Sequence, residues 1–374
     1  MKKIGRQVCF LETTESNKRN GEGSFIRLKD NSIMFGYTEY IGDSGDDFAN
    51  ARISAVTSHD EGETWGEKRV LFTKPEGAQN IMSLSFLRMG NGDIGAFYIL
   101  KEANIPQEKL CSGPVKEGKV CNVTKILCVR SSDEGETWGE PIDCLSMLDR
   151  NDYFVLNNDR VIKLKSGRIL FALARHTIYQ NIFRFSPGAL CFIYSDDDGY
   201  TWEKAEEELV FPFDRDPAGY QEPGLYEMPD GRVRCYIRSS LGCQLECFSE
   251  DGGETWSCVN PNHFFTSPRS PMLIKAVGDY TVAIFNPYPE YHMRSEAEPW
   301  GRTPYVCAVS DDKGLTFSKD RIFYIEDDLS NSYCYPAIVE GDSYFLVAYY
   351  HTNNTGNCLN CTKIIKIKYN EIEQ

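Results

Sequence analysis

The sequence contains no apolar run of 18 residues, so nothing in it reads as a membrane-spanning helix. Its opening, Met1-Lys2-Lys3-Ile4-Gly5-Arg6-Gln7, leads into a mixed segment with Glu12 and Glu15 rather than the apolar core of a secretion signal. The expectation is a soluble, cytoplasmic protein that engages no membrane. Positive charge is also short. Forty Lys and Arg against 55 Asp and Glu leave a net charge of −15 and a pI near 4.9, which argues against nucleic-acid binding through a basic patch. No long amphipathic helical pattern, linker or low-complexity segment interrupts the 374 residues, so 1–374 reads as one domain. A zinc-type second cysteine pair is lacking as well. Of 14 cysteines, Cys191, Cys235 and Cys307 sit inside apolar runs, as buried thiols do. Cys358-Leu359-Asn360-Cys361 is a lone Cys-x-x-Cys, and Cys111 and Cys121 are too far apart to complete it. No metal or other cofactor is expected.

What is present is a repeat. Ser131 to Trp138 reads Ser-x-Asp-x-Gly-x-Thr-Trp. The same pattern recurs at Ser58 to Trp65, Ser195 to Trp202 and Ser249 to Trp256, and at Ser310 to Phe317 with Phe for Trp. An Asp followed two residues later by Gly is turn chemistry, in which the carboxylate caps backbone N–H groups and Gly accepts φ > 0. A strand-like run such as Ala189 to Tyr194 precedes each box, so each reads as a hairpin tip closed by its own aromatic. Calcium is a poor fit: an EF-hand with Gly199 at position 6 would place Tyr194 at position 1, where Asp is needed.

A second periodic signal alternates with the boxes. Polar Gly, Asp or Asn turns followed by apolar strands occur at 30–35, 90–94, 165–171, 230–233, 277–282 and 340–345. Six such hairpins and five boxes, with no helices between, predict an all-β, six-bladed β-propeller. Six blades of four strands need roughly 24 strands of about 5–6 residues plus loops, which this length supplies. The alternating run Lys363 to Tyr369 is expected to pair into the first blade and close the ring. Insertions at 105–121, 214–221 and 287–302 are expected to be loops around a site.

The boxes match the Asp-box, or BNR repeat, of the sialidase (neuraminidase) family, which this chain resembles over nearly its whole length. The resemblance implies a glycoside hydrolase acting on a terminal α-linked acidic sugar of a glycan or small oligosaccharide. In that family a Tyr, deprotonated by a Glu, serves as nucleophile, because a carboxylate nucleophile would be repelled by the substrate carboxylate at the anomeric carbon. An Asp acts as acid and base, and three arginines hold the substrate carboxylate.

Carried onto this chain, Tyr333-Cys334-Tyr335-Pro336-Ala337-Ile338 looks like the nucleophile strand and points to Tyr335, with Tyr333 as the neighbouring alternative. Gln221-Glu222-Pro223-Gly224 resembles the segment carrying the catalytic Glu, with Glu227 as rival. Arg238 closes the next apolar strand as the second arginine. Gly301-Arg302-Thr303-Pro304 looks like the third-arginine segment. The acid is expected in the loop 42–50, as Asp47 or Asp46.

The first arginine departs from the pattern. Its position falls at Gly21-Glu22-Gly23, Arg27 is out of phase, and Glu22 carries the wrong charge. Loss of one cation contact to a carboxylate is worth about 1.5–3 kcal/mol, so either another residue substitutes or the sugar differs. Asn157-Asn158-Asp159-Arg160 is a polar run between Val155 and Val161. Asn158, Asp159 and Arg160, with His176, are candidate substrate contacts; the alternative is a polar strand start. Asn80 and Arg269 are weaker cases. A non-catalytic glycan-binding propeller is the reading from another class, and it would have no need of a Tyr–Glu pair.

Overall fold

The computed structural model describes residues 1–102, 123–148, 152–179, 184–185, 187–211, 218–289, 301–352 and 359–373. The loop predicted at 105–121 lies outside these residues, as do half of that at 214–221, most of that at 287–302 and Cys358 of the Cys-x-x-Cys.

Six antiparallel sheets make the six blades of a propeller. Blade 1 contains Asn17–Arg27, Ile33–Ile41, Ala51–Ser58 and Arg69–Thr73. Blade 2 contains Ala78–Arg88, Ile94–Glu102, Thr124–Ser131 and Ile142–Asp143. Blade 3 is built on Asp152–Val155, Ile169–Tyr179, Ala189–Ser195 and Glu203–Lys204, with two short added strands. Blade 4 runs from Gln221–Glu227 through Val233–Arg238 and Cys243–Ser249 to Asn260–Thr266. Blade 5 runs from Leu273–Val277 through Tyr280–Phe285 and Tyr305–Ser310 to Ile322–Glu326. Blade 6 joins Tyr333–Glu340, Tyr344–His351 and Cys361–Lys368 to the N-terminal strand Arg6–Leu11. All six polar turns read from the sequence connect the first and second strands of a blade.

The ring closes in the opposite sense to expectation. The last strand stays in its own blade beside Tyr344–His351, and the N-terminal strand crosses over to pair with it, Arg6 opposite Lys366 and Leu11 opposite Thr362. The first strand has no hairpin partner in blade 1, whereas Lys363 to Lys368 is already paired on one side by a short connection. This closure also explains why five boxes serve six blades. Each box forms the turn between the third and fourth strands of blades 1 to 5. In blade 6 the third and fourth strands come from opposite ends of the chain, so no such turn exists.

The boxes repeat one hydrogen-bond pattern. In the first, the Ser58 hydroxyl donates to Asp60 (2.8 Å) and accepts from the Gly62 N–H (2.8 Å). The second Asp60 oxygen accepts from the Thr64 hydroxyl at 2.5 Å, and the first accepts from the Thr64 N–H at 2.8 Å. The box glycines have φ between 82° and 99°, a region an L-residue enters only at a cost. The box aromatics then tie neighbouring blades together. Trp256 of blade 4 stacks on Phe192 of blade 3 with ring centroids 4.0 Å apart, and Trp138 of blade 2 meets Phe72 of blade 1 at 4.8 Å.

A polar staple crosses the axis. Asp159, at the start of the inner edge of blade 3, accepts from Ser24 (3.0 Å) of blade 1, Lys275 (2.8 Å) of blade 5 and the Ile338 N–H (3.1 Å) of blade 6. Asn158 donates to the carbonyls of Gly23 and Pro336. Arg160, almost wholly enclosed, donates to Tyr236 and to the Met272 carbonyl. A buried charge needs such partners, and here it takes them from inner strands that no ladder joins.

Candidate active site

The inner strands are bent where they reach the mouth. The first strands of blades 1, 2, 4 and 6 lose register at Gly21/Ser24, Met82/Ser85, Gln221/Gly224 and Cys334/Ala337. Within each break one residue has left-handed backbone: Glu22 (φ 51°), Ser83 (φ 59°), Glu222 (φ 39°) and Tyr335 (φ 56°). A bulge of this kind re-aims a side chain out of the ladder, and left-handed backbone at residues other than Gly persists where the surroundings enforce it. The four residues therefore occupy one pseudo-symmetric position around the ring, and two of them are the Tyr and Glu singled out by motif.

The Tyr335 hydroxyl donates to Glu222 Oε1 at 2.7 Å, and Arg238 Nη1 lies 3.4 Å from the same hydroxyl. Arg238 also pairs with the other Glu222 oxygen. Arg302, from the segment before the third strand of blade 5, places its guanidinium carbon 5.6 Å from the centre of the Tyr335 ring. It donates to Cys334 Sγ (3.1 Å) and to the Arg269 carbonyl (3.2 Å). Thus Tyr335, Glu222, Arg238 and Arg302 meet at one mouth, as the sequence suggested. The rivals lie elsewhere. Tyr333 donates to the Asp328 carbonyl and stacks near Tyr305, Glu227 accepts from the Lys165 N–H, and Asp46 accepts from Ser44.

Burial pushes the Glu222 carboxyl up, but Arg238 beside it outweighs burial and holds it below the ordinary range, so it is ionised. Tyr335 moves the other way. Burial and the Glu222 charge push it far above the ordinary phenol value, against the pull of Arg238 and Arg302. At rest the proton belongs to Tyr335, with an ionised acceptor in place.

Asp47, from the loop 42–50 of blade 1, is open to solvent (58% exposed) and lies within reach of the Arg238 charge. The carboxyl is exposed, but the protein around it is deep enough to disfavour its charge; Arg19 and Lys101 outweigh this and bring it below the usual range. Arg19 donates to Asp47 at 2.6 Å and to Tyr350 at 2.7 Å, and pairs with Glu22. Its guanidinium lies between the rings of Tyr40 and Tyr350, 4.7 and 5.1 Å from their centres. Although no arginine stands at Gly21-Glu22-Gly23, Arg19 of Asn17–Arg27 reaches the mouth from the first strand of blade 1. It stands two residues earlier than expected, and the ladder slips between it and the turn, at Gly21/Ser24. It does not stand free, since Glu22 and Asp47 share it.

His176 lies at the edge of this region. Its Nε2 is 3.2 Å from Gln221 Nε2, and its ring centre is 6.1 Å from that of Tyr153. Asn158, Asp159 and Arg160 have their hydrogen bonds in the axial staple described above. Sequence reasoning missed Arg19, Lys101, Tyr153 and Tyr350. Lys101 carried a readable signal, a charge closing the apolar run Phe97-Tyr98-Ile99-Leu100, the same signal that singled out Arg238.

Residues 86–347 match the BNR repeat-like domain. The chain belongs to the sialidase family of BNR-repeat propellers. It is 31% identical over 140 residues to the anhydrosialidase of Macrobdella decora, which covers 36% of this chain and 16% of that protein. It is 27% identical over 203 residues to sialidase-4 of Mus musculus, 51% of this chain and 40% of that one. The chain thus matches less than half the length of these relatives. The intramolecular trans-sialidase of Ruminococcus gnavus superposes with a TM-score of 0.74 at 14% identity, covering 98% of each chain, which shows a common fold. Among the described residues, no group of three or more His, Cys, Asp or Glu is placed to hold a metal ion, and no helix is long and apolar enough to cross a membrane.

Proposed function

We propose that this sialidase-family propeller is a retaining exo-glycoside hydrolase that removes a terminal α-linked acidic sugar. The observation that carries the reading is the 2.7 Å hydrogen bond from the Tyr335 hydroxyl to an ionised Glu222. A buried tyrosine that gives its proton to a carboxylate is an activated nucleophile. As the glycosidic bond stretches and the anomeric carbon gains positive charge, the phenolic oxygen attacks it and the proton passes to Glu222. Asp47, once protonated, gives its proton to the departing oxygen. It then takes a proton from the water that attacks the tyrosyl-glycoside; the bond from the anomeric carbon to the Tyr335 oxygen breaks as Glu222 returns its proton to that oxygen, and the sugar leaves with its configuration retained.

Charge supports the acidic substrate. Arg19, Lys101, Arg238 and Arg302 gather here with Glu22, Asp47 and Glu222, and burial raises the Glu22 carboxyl, so the balance favours positive charge, which suits a substrate carboxylate. Arg238 and Arg302 flank Tyr335 and are the pair placed to hold it. Glu22 favours a second form of the reading. It keeps Arg19 occupied, so the grip is narrower than three free arginines and suits an acidic sugar other than sialic acid. The test is a panel of 4-methylumbelliferyl glycosides of sialic, other ulosonic and uronic acids and of neutral sugars. The wild type should release fluorophore from one acidic class and Tyr335→Phe from none. Binding without turnover across the panel would instead make the protein a glycan-binding propeller.

A further inference from the structure

Lys101 is a fully buried ammonium that takes no part in the bond-making and proton-transfer steps above. It is the penultimate residue of the second strand of blade 2, Ile94–Glu102, and reaches the loop that carries Asp47. Its Nζ donates to the main-chain carbonyl of Asp47 at 2.6 Å and lies 4.3 Å from the centre of the Phe48 ring. From the adjacent strand, Asn80 Nδ2 donates to the same carbonyl (2.8 Å) and to that of Ala49 (2.9 Å). Two side chains of blade 2 therefore hold the backbone of a blade 1 loop at Asp47, the residue proposed above as the acid. Arg19 holds that carboxylate separately, from blade 1. A loop whose tip is open to solvent does not need a buried charge for folding alone, because removing an ammonium from water is costly.

We propose that Lys101, with Asn80, is a positioning residue for proton transfer by Asp47: the clamp on the backbone fixes where the carboxyl meets the leaving oxygen. This rests on the hydrolase reading. The charged groups facing Lys101 are Asp47 and Glu22, which favour its ammonium, and Arg19, which opposes it. Burial outweighs them and brings Lys101 down to about 8. Above that pH the amine still donates to the carbonyl but loses its charge and its attraction to the Phe48 ring.

The test separates positioning of an acid from general structural support by changing the leaving group. The substrates are the 4-methylumbelliferyl α-glycoside of N-acetylneuraminic acid, whose leaving group needs little protonation, and 3′-sialyllactose, whose leaving alkoxide needs it. Lys101→Met should lower kcat on sialyllactose by about 10- to 100-fold, part of the ~10²–10⁴ a general acid supplies. It should lower kcat on the aryl glycoside by less than about 3-fold, with KM little changed on both, and it should remove an alkaline limb near pH 8 from the wild-type profile. Asn80→Ala, which removes the second donor to the same carbonyl, should show the same leaving-group contrast and serves if Lys101→Met does not fold. Equal losses on both substrates, or none, would overturn the role. A wild type inactive on both, while another acidic glycoside in the panel is cleaved, moves the comparison to aryl and alkyl glycosides of that sugar. Inactivity across the panel ends the hydrolase reading and this role with it.

Discussion

Glu222→Gln perturbs the site at the point where catalysis and stability meet. Glutamine keeps the shape and one acceptor oxygen but cannot take the Tyr335 proton, so the base is lost. Loss of a general base costs about 10²–10⁴-fold in rate. The same change leaves the buried Arg238 guanidinium without its counter-charge. Breaking a buried pair outright costs about 3–5 kcal/mol; with an amide oxygen still accepting, about 1–3 kcal/mol is expected. The sign with pH follows from the direction of the shift. Arg238 holds Glu222 below its ordinary value, so its contribution is fully present above an unfolded carboxyl pKa of about 4.3 and is lost as pH falls through the native value. Thermal melts should therefore show the variant less stable than wild type at pH 7, with the gap narrowing below about pH 4. Turnover of the aryl glycoside should fall at least about 100-fold. Activity within about 3-fold of wild type would refute the assignment, because no other acidic residue bonds to Tyr335 among the described residues.

Three further outcomes follow from the same geometry. Arg302→Lys exchanges a planar fork for a point charge and should lower kcat/KM about 10- to 100-fold, mainly through KM, in steady-state assays. Arg19→Met removes the main cation that opposes burial at Asp47. The Asp47 carboxyl should rise toward its ordinary value, so the limb on which activity falls with deprotonation should move to higher pH; an unmoved limb would detach Arg19 from Asp47. Trp256→Ala removes the stack on Phe192 between blades 3 and 4. It should cost about 3–5 kcal/mol in denaturant unfolding, while kcat of the folded fraction holds.

The architecture was largely legible because it rests on local chemistry. Each Ser-x-Asp-x-Gly-x-Thr box closes its own turn, and each polar turn sits between adjacent strands, so spacing along the chain sufficed to count blades. The closure of the ring was not legible, since pairing of Arg6–Leu11 with Cys361–Lys368 depends on which free edge is nearer in space. At the site, Tyr335 and Glu222 were recoverable from their flanking residues. Arg19 was not, because counting back from a turn assumes a regular ladder, and two register slips in Asn17–Arg27 break that assumption. The run Asn157 to Arg160 stood out correctly as unusual. Its polarity is accounted for in the structure by contacts from blade 3 to the other five blades, and such contacts between distant segments leave no periodic trace in sequence.

The central claim is that Tyr335 attacks the anomeric carbon. Incubation with a 3-fluoro acidic-sugar fluoride, matched to the sugar class the panel identifies, followed by peptide mass spectrometry, tests it directly. The account predicts one added fluorosugar on the peptide containing Tyr335, and none in Tyr335→Phe or Glu222→Gln under the same conditions. Turnover of the glycoside without any adduct, or an adduct on a different residue, would contradict it.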